Sequence, residues 1–331
     1  MTAKAFKSAA AKERPYVFDY DHEVAAFYRD HPEQKKKIFF IDASTLPASL
    51  LRGEEADEDE ISDLISSNGD LADIISEVNK SGICKTARFH EEDYGCIVMK
   101  LPRNQNNINL LGYTAAPAMT DVFSFDHESG HLLCEDGQGA PVLRECVADA
   151  YALIRHFQRF GADSSAVENI ADVRAAEMVF SRETSHFTTP VVEQIIADSK
   201  KTDFAALTPA ETAALARQYA LNNALDPMLV KYITGNLAAF RCGMNELITG
   251  DFKPLRDLVN FVLFTSVPEE FKWGAAAVRT LLDGKLGFDG FCVTPPAGEE
   301  WTRLRQALDE RAARFDSAQP KLVISRALQP K

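Results

Sequence analysis

The chain has 331 residues, 46% of them hydrophobic, enough to bury a large core in one or two domains. A formal net charge of −13 argues against a nucleic-acid partner, because phosphate binding needs clustered positive charge. No apolar run approaches the length that spans a bilayer, so no membrane partner is expected.

Residues 1 to 15 are rich in Ala, Lys and Ser and lack the apolar centre of a secretory signal. Their basic, acid-poor character is also that of a transit or export leader, but a disordered tail is the expectation. Lys35-Lys36-Lys37 reads as the solvated approach to a buried strand over 37 to 43. The acidic run 54 to 60 reads as a solvated loop before a helix. Segments 82 to 89 and 95 to 101 resemble two strands of a hairpin turning around Glu91-Glu92-Asp93.

Thr120 and Asp121 are suited to cap a helix through Val122, Phe125, Ser129 and Leu132, apolar or small at three- and four-residue steps. A second helix follows Pro141, with Val142, Val147, Tyr151, Ile154 and Phe157 as its buried stripe, and ends at Gly161. The short connection favours an antiparallel pair. Beyond it, helices are expected at 165 to 182, 189 to 199, 209 to 222, 226 to 248, 253 to 265, 268 to 283 and 299 to 314. Pro190, Pro209, Pro227, Pro254 and Pro268 sit near their starts, as first-turn prolines do.

The first helix of the pair carries His127-Glu128-Ser129-Gly130-His131, and the second opens with Glu145-Cys146-Val147-Ala148-Asp149. Residues four apart on a helix lie about 40° apart around the axis and roughly 6 Å along it, so both imidazoles can reach one metal ion. A catalytic zinc takes three protein ligands and leaves one position open. Glu145 is the candidate third ligand. Asp149, one turn further on, is placed to accept a hydrogen bond from the far nitrogen of a ligating histidine.

In these two blocks the chain resembles the gluzincin class of zinc metallopeptidases, in which HExxH lies on one helix and the third ligand is the Glu of an ExxAD on the next. The resemblance covers about residues 120 to 160. It implies His127, His131 and Glu145 as ligands of Zn2+, Glu128 as general base, and Asp149 behind the ligands. The metzincin extension is absent, since Cys134 and Gly137 stand where that pattern needs Gly and His. Peptide deformylases take a cysteine ligand from a segment ahead of HExxH, and Tyr94-Gly95-Cys96 offers one, but an apolar strand role for Cys96 is the expectation.

The implied activity is hydrolysis of a peptide bond in a peptide or protein substrate. Related enzymes add a later donor for the oxyanion, and His186, in a turn-like setting of Ser and Thr, is the candidate; Tyr151 and Arg182 are weaker ones. His156 is read as a hydrogen-bonded core residue, and His22, His31 and His90 carry no assigned role. The six cysteines lack any CxxC spacing, so reduced thiols and a cytoplasmic setting are expected.

The expected fold is α+β and mostly helical: a zincin-like part over 1–160, with a small sheet and two metal-binding helices, and a helical part over 161–331 packed on the cleft. Two other readings stand beside it. One is a non-catalytic binding or regulatory protein with a structural zinc site. The other is a helical interaction protein whose HExxH is fortuitous.

Overall fold

The computed structural model describes residues 16–44, 48–51, 63, 65–66, 68–82, 84–89, 94–100, 111, 116–134, 139–180, 185–240, 246, 249–288, 291–292 and 295–318. The architecture is α+β and mostly helical. The acidic run 54 to 60 and the turn at 91 to 93 lie outside the described residues.

The N-terminal layer is built on strands β1 (Ile38–Asp42), β2 (Ser49–Leu51), β3 (Lys85–Phe89) and β4 (Tyr94–Met99), in the order β2-β1-β4-β3. The β1–β4 pair is parallel, and the two outer pairs, including the expected β3–β4 pairing, are antiparallel. Strands β1 and β4 are buried on both faces, which is why each reads as a continuous apolar run.

Alternation sorts their side chains. Phe39, Ile41, Cys96 and Val98 face helix α2 (Gly69–Ser81) through Leu71, Ile75 and Val78. Ile38, Phe40, Ile97 and Met99 face the other way, onto helices α1 (Tyr20–Asp30) and α3 (Pro117–Cys134). Phe40 stacks on Phe125 of α3 with ring centroids 5.3 Å apart.

Helix α3 begins a full turn ahead of the expected Thr120–Asp121 cap. Pro117, with its φ preset for a first turn, starts it, and Thr120 is buried inside it. Helix α4 (Pro141–Phe160) has the expected limits. The two helices touch at Gly130, where an added Cβ would lie 3.0 Å from Ala148 Cα and 3.1 Å from Tyr151 Cβ. Gly95 does the same for the sheet, since a Cβ there would meet a methyl of Leu132 at 2.7 Å. Glycine at both places lets α3 sit close to α4 on one side and to β4 on the other.

The remaining helices are α5 (Ile170–Phe180), α6 (Thr189–Ser199), α7 (Pro209–Asn223), α8 (Pro227–Ala238), α9 (Lys253–Phe264), α10 (Pro268–Leu282) and α11 (Glu299–Ala318), with a two-stranded ribbon, Gly287–Phe288 and Phe291–Cys292, before the last. The segment expected as one helix from 165 opens instead as a 3-10 turn, Ser165–Val167; the α-helix starts after Asn169, whose carbonyl accepts from Val173 N. One apolar core runs from Phe123 and Leu153 through Ile195, Leu258 and Leu308; α6 and α7 pack on α4, α10 packs on α5, and α11 packs on α10. Among the described residues no helix is long and apolar enough to cross a membrane.

Replacing Gly130 with Ala should force the α3–α4 backbones apart and lower stability by about 1–3 kcal/mol. Gly235→Ala, on an exposed face of α8 with nothing within 4 Å of the new Cβ, should be neutral or stabilising by up to about 1 kcal/mol. Denaturant midpoints decide; a Gly130→Ala protein as stable as wild type would refute close approach as the constraint on this pair.

Candidate metal centre

Helix α3 projects His127 and His131 from one face, and the antiparallel α4 brings Glu145 up to them from its first turn. The ligand atoms of these three residues all lie within 4.8 Å of one another. His127 Nε2 is 3.2 Å from His131 Nε2 and 3.2 Å from Glu145 Oε2, and His131 Nε2 is 3.6 Å from that oxygen. Donors bound tetrahedrally to one ion at zinc distances would be separated by about 3.3–3.5 Å, so the triangle has the size a single zinc requires.

A second observation fits the same ion. Glu145 Oε2 is buried and accepts no well-aligned hydrogen bond, although ring nitrogens of His127, His131 and His186 all lie close to it. A buried carboxylate oxygen without a hydrogen-bond donor is costly, and a cation at the centre of the triangle would satisfy it. Burial alone would raise the Glu145 carboxyl; the three imidazoles outweigh it and hold it well below the usual carboxylate range.

Asp149 lies one turn behind, with no solvent exposure. Its Oδ1 is 2.8 Å from His127 Nδ1, which places a ring proton on Nδ1 and aims Nε2 toward Glu145 and His131. Arg174 of α5 closes a fork on both carboxylate oxygens, Nε to Oδ2 at 2.8 Å and Nη2 to Oδ1 at 2.6 Å, and Thr188 Oγ1 donates to Oδ2 at 2.5 Å. Burial pushes the Asp149 carboxyl up, but Arg174 and His127 win and keep it far below its ordinary value. Burial likewise disfavours a charged His127, yet the Asp149 and Glu145 carboxylates beside it hold that imidazole up at about 9.

Glu128 lies outside the three-residue group and turns toward the sheet, where Thr86 Oγ1 of β3 donates to its Oε2 at 2.5 Å. His186, just ahead of α6, comes to the site: its Nε2 is 3.3 Å from Glu145 Oε2, with about a third of the side chain exposed. It therefore meets Glu145, and does not join the three groups whose donor atoms mutually converge. Burial would lower the His186 pKa; Glu145 outweighs that and raises it.

The other named candidates lie elsewhere. Tyr151 is buried at the Gly130 contact. Cys96 is across the sheet from α3, in the layer against α2. His156 is a core residue, bonded to Ser164 Oγ at 2.8 Å, and burial depresses it to about 4. His22 and His31 belong to α1 and its C-cap, and Arg182 and His90 lie outside the described residues.

Three contributors are not marked by any motif: Arg174, Thr188 and Thr86. Arg174 leaves only a weak sequence signal, a charge next to Val173, Ala175 and Ala176 with Asp172 and Glu177 close by, which calls for a partner without naming it. Comparison with family models, curated proteins and solved structures finds no match to this chain, so the reading of the site rests on its own geometry.

Proposed function

We propose that this chain is a zinc-dependent metallopeptidase with a zincin-like core, in which His127, His131 and Glu145 hold the metal and Glu128 is the general base. The observation that carries the reading is the triangle of donor atoms, 3.2, 3.2 and 3.6 Å on its edges, with Glu128 next in sequence to His127 and outside the group. Two imidazoles and one carboxylate with an open position are a catalytic zinc pattern, whereas a structural zinc is closed by four protein ligands. Among the described residues no fourth His, Cys, Asp or Glu joins the group.

When bound, zinc supplies Lewis-acid chemistry, lowering the pKa of a water and polarising a carbonyl. Glu128 takes the water proton and delivers it to the leaving nitrogen. Thr86, by donating to Oε2, restrains the carboxylate and leaves its other oxygen to accept that proton. His186 stands beside Glu145 with about a third of its side chain exposed, where its ring can donate to a developing oxyanion. β3 is an outer strand of the sheet among the described residues, and its contact with Glu128 through Thr86 makes its outer edge the place for an extended peptide.

Protein purified without added zinc should hold about one zinc per chain, and His131→Ala should lose most of it, as read by elemental mass spectrometry. Stoichiometric zinc in that variant would remove His131 from the ligand set.

Glu128→Gln keeps shape and hydrogen bonding but removes the base. Zinc content and melting temperature should stay at wild type, while cleavage of a peptide library followed by mass spectrometry falls about 10²- to 10⁴-fold. Cleavage undiminished in this variant would assign the activity to another enzyme; zinc without any cleavage in wild type, with unfolding on chelation, would mark a structural site.

His186→Ala should lower turnover with zinc content unchanged, because an oxyanion donor acts on transition-state charge. Zinc loss in this variant would instead place His186 in support of Glu145.

A further inference from the structure

Arg174 touches none of the three proposed ligands and is too deeply buried, at 3% exposure, to reach a substrate. Its three bonds are all internal: two to the Asp149 carboxylate and one, from Nη1, to Glu177 Oε2 at 2.7 Å. Asp149 Oδ1 is shared between Arg174 Nη2 and His127 Nδ1, and Oδ2 between Arg174 Nε and Thr188 Oγ1. A carboxylate held at one oxygen can turn about its own bond and let the imidazole follow. One gripped in the plane of a guanidinium fork cannot.

We infer that Arg174 is a positioning residue of the metal centre, acting through Asp149 to fix the His127 ring with Nε2 aimed at the ion. The inference rests on the metal reading and deepens it. It makes α5, a helix that carries no ligand, part of the site. Glu177 holds the third nitrogen and so keeps the fork aimed at Asp149. A lysine would preserve the charge beside Asp149 but would bond one oxygen at a time, so charge and orientation are separable by substitution.

The test measures zinc affinity by competition with a chromophoric chelator, and the visible bands of the cobalt-substituted protein. Arg174→Met and Asp149→Asn should each weaken zinc binding about 10- to 100-fold. The double variant should bind no worse than the weaker single one, because both act along one path. Arg174→Lys should fall between, roughly 3- to 10-fold weaker, with shifted cobalt bands as the ligand field changes; it carries the test if Arg174→Met does not fold.

Lys285→Met is the structural control, since Lys285 pairs with Asp172 on the same helix at 2.6 Å without touching Asp149. It should lower stability and leave zinc affinity within about twofold of wild type. Wild-type affinity and unshifted cobalt bands in folded Arg174→Lys would overturn the positioning role while leaving the metal reading intact. A wild-type protein that takes up neither zinc nor cobalt would overturn both.

Discussion

The site depends on one buried carboxylate. Asp149 receives bonds from α3 through His127, from α5 through Arg174 and from the approach to α6 through Thr188, while belonging itself to α4. An ionised carboxylate with no solvent exposure is tolerable only when paired and fully hydrogen-bonded. Each of the surrounding segments therefore has its position set by a group that cannot be left unsatisfied. Removing one partner does not merely delete a contact, because it strands a charge, and the His127 imidazole, a proposed metal ligand, is one of the partners.

Backbone proximity makes this convergence feasible. The α3–α4 pair is closest at position 130, where a side chain would press on Ala148 and Tyr151, and at 95 a side chain would press on Leu132 of α3. The spacer residues of the motif are thus not neutral: Ser129 bonds back to the Phe125 carbonyl at 2.8 Å, and Gly130 is the contact surface. One turn before Gly130 on α3, Asp126 holds Arg159 of α4 through both carboxylate oxygens, and Arg159 also reaches Glu23 of α1. Consecutive residues 126 and 127 therefore fasten α3 to α1 and α4 by one ion-pair system and to α5 by another.

Much of this was legible in the sequence where the rule involved is local. Four-residue spacing places His127 and His131 together on any helix, and first-turn prolines mark helix starts, so the segments beginning near Thr189, Pro209, Lys253 and Pro268 were readable within a residue or two. The start of α3 was misplaced because Thr120 and Asp121 have the composition of a cap, whereas Pro117 and the pull of the core carry the helix one turn further. Helix α1 gave little warning: its buried face includes Glu23, which accepts from the Tyr16 hydroxyl and whose charge is paired by Arg159, 136 residues away. Arg174 and Thr86 were illegible as site residues for the same reason, since what they do is decided by partners distant in the chain.

The strongest argument against a fortuitous pentapeptide is the number of independent conditions the geometry satisfies. Helical spacing alone brings two imidazoles together, but it places no carboxylate oxygen at 3.2 Å from one and 3.6 Å from the other. Nor does it orient the His127 ring by an acceptor that is itself held in a fork. A core without function would gain from replacing such a group with apolar side chains of similar volume, because desolvating charges is expensive and packed hydrocarbon is not. Two histidines, two carboxylates and an arginine retained together in the interior are explained when a cation belongs among them, and Glu145 Oε2, buried without an aligned donor, marks where it would sit.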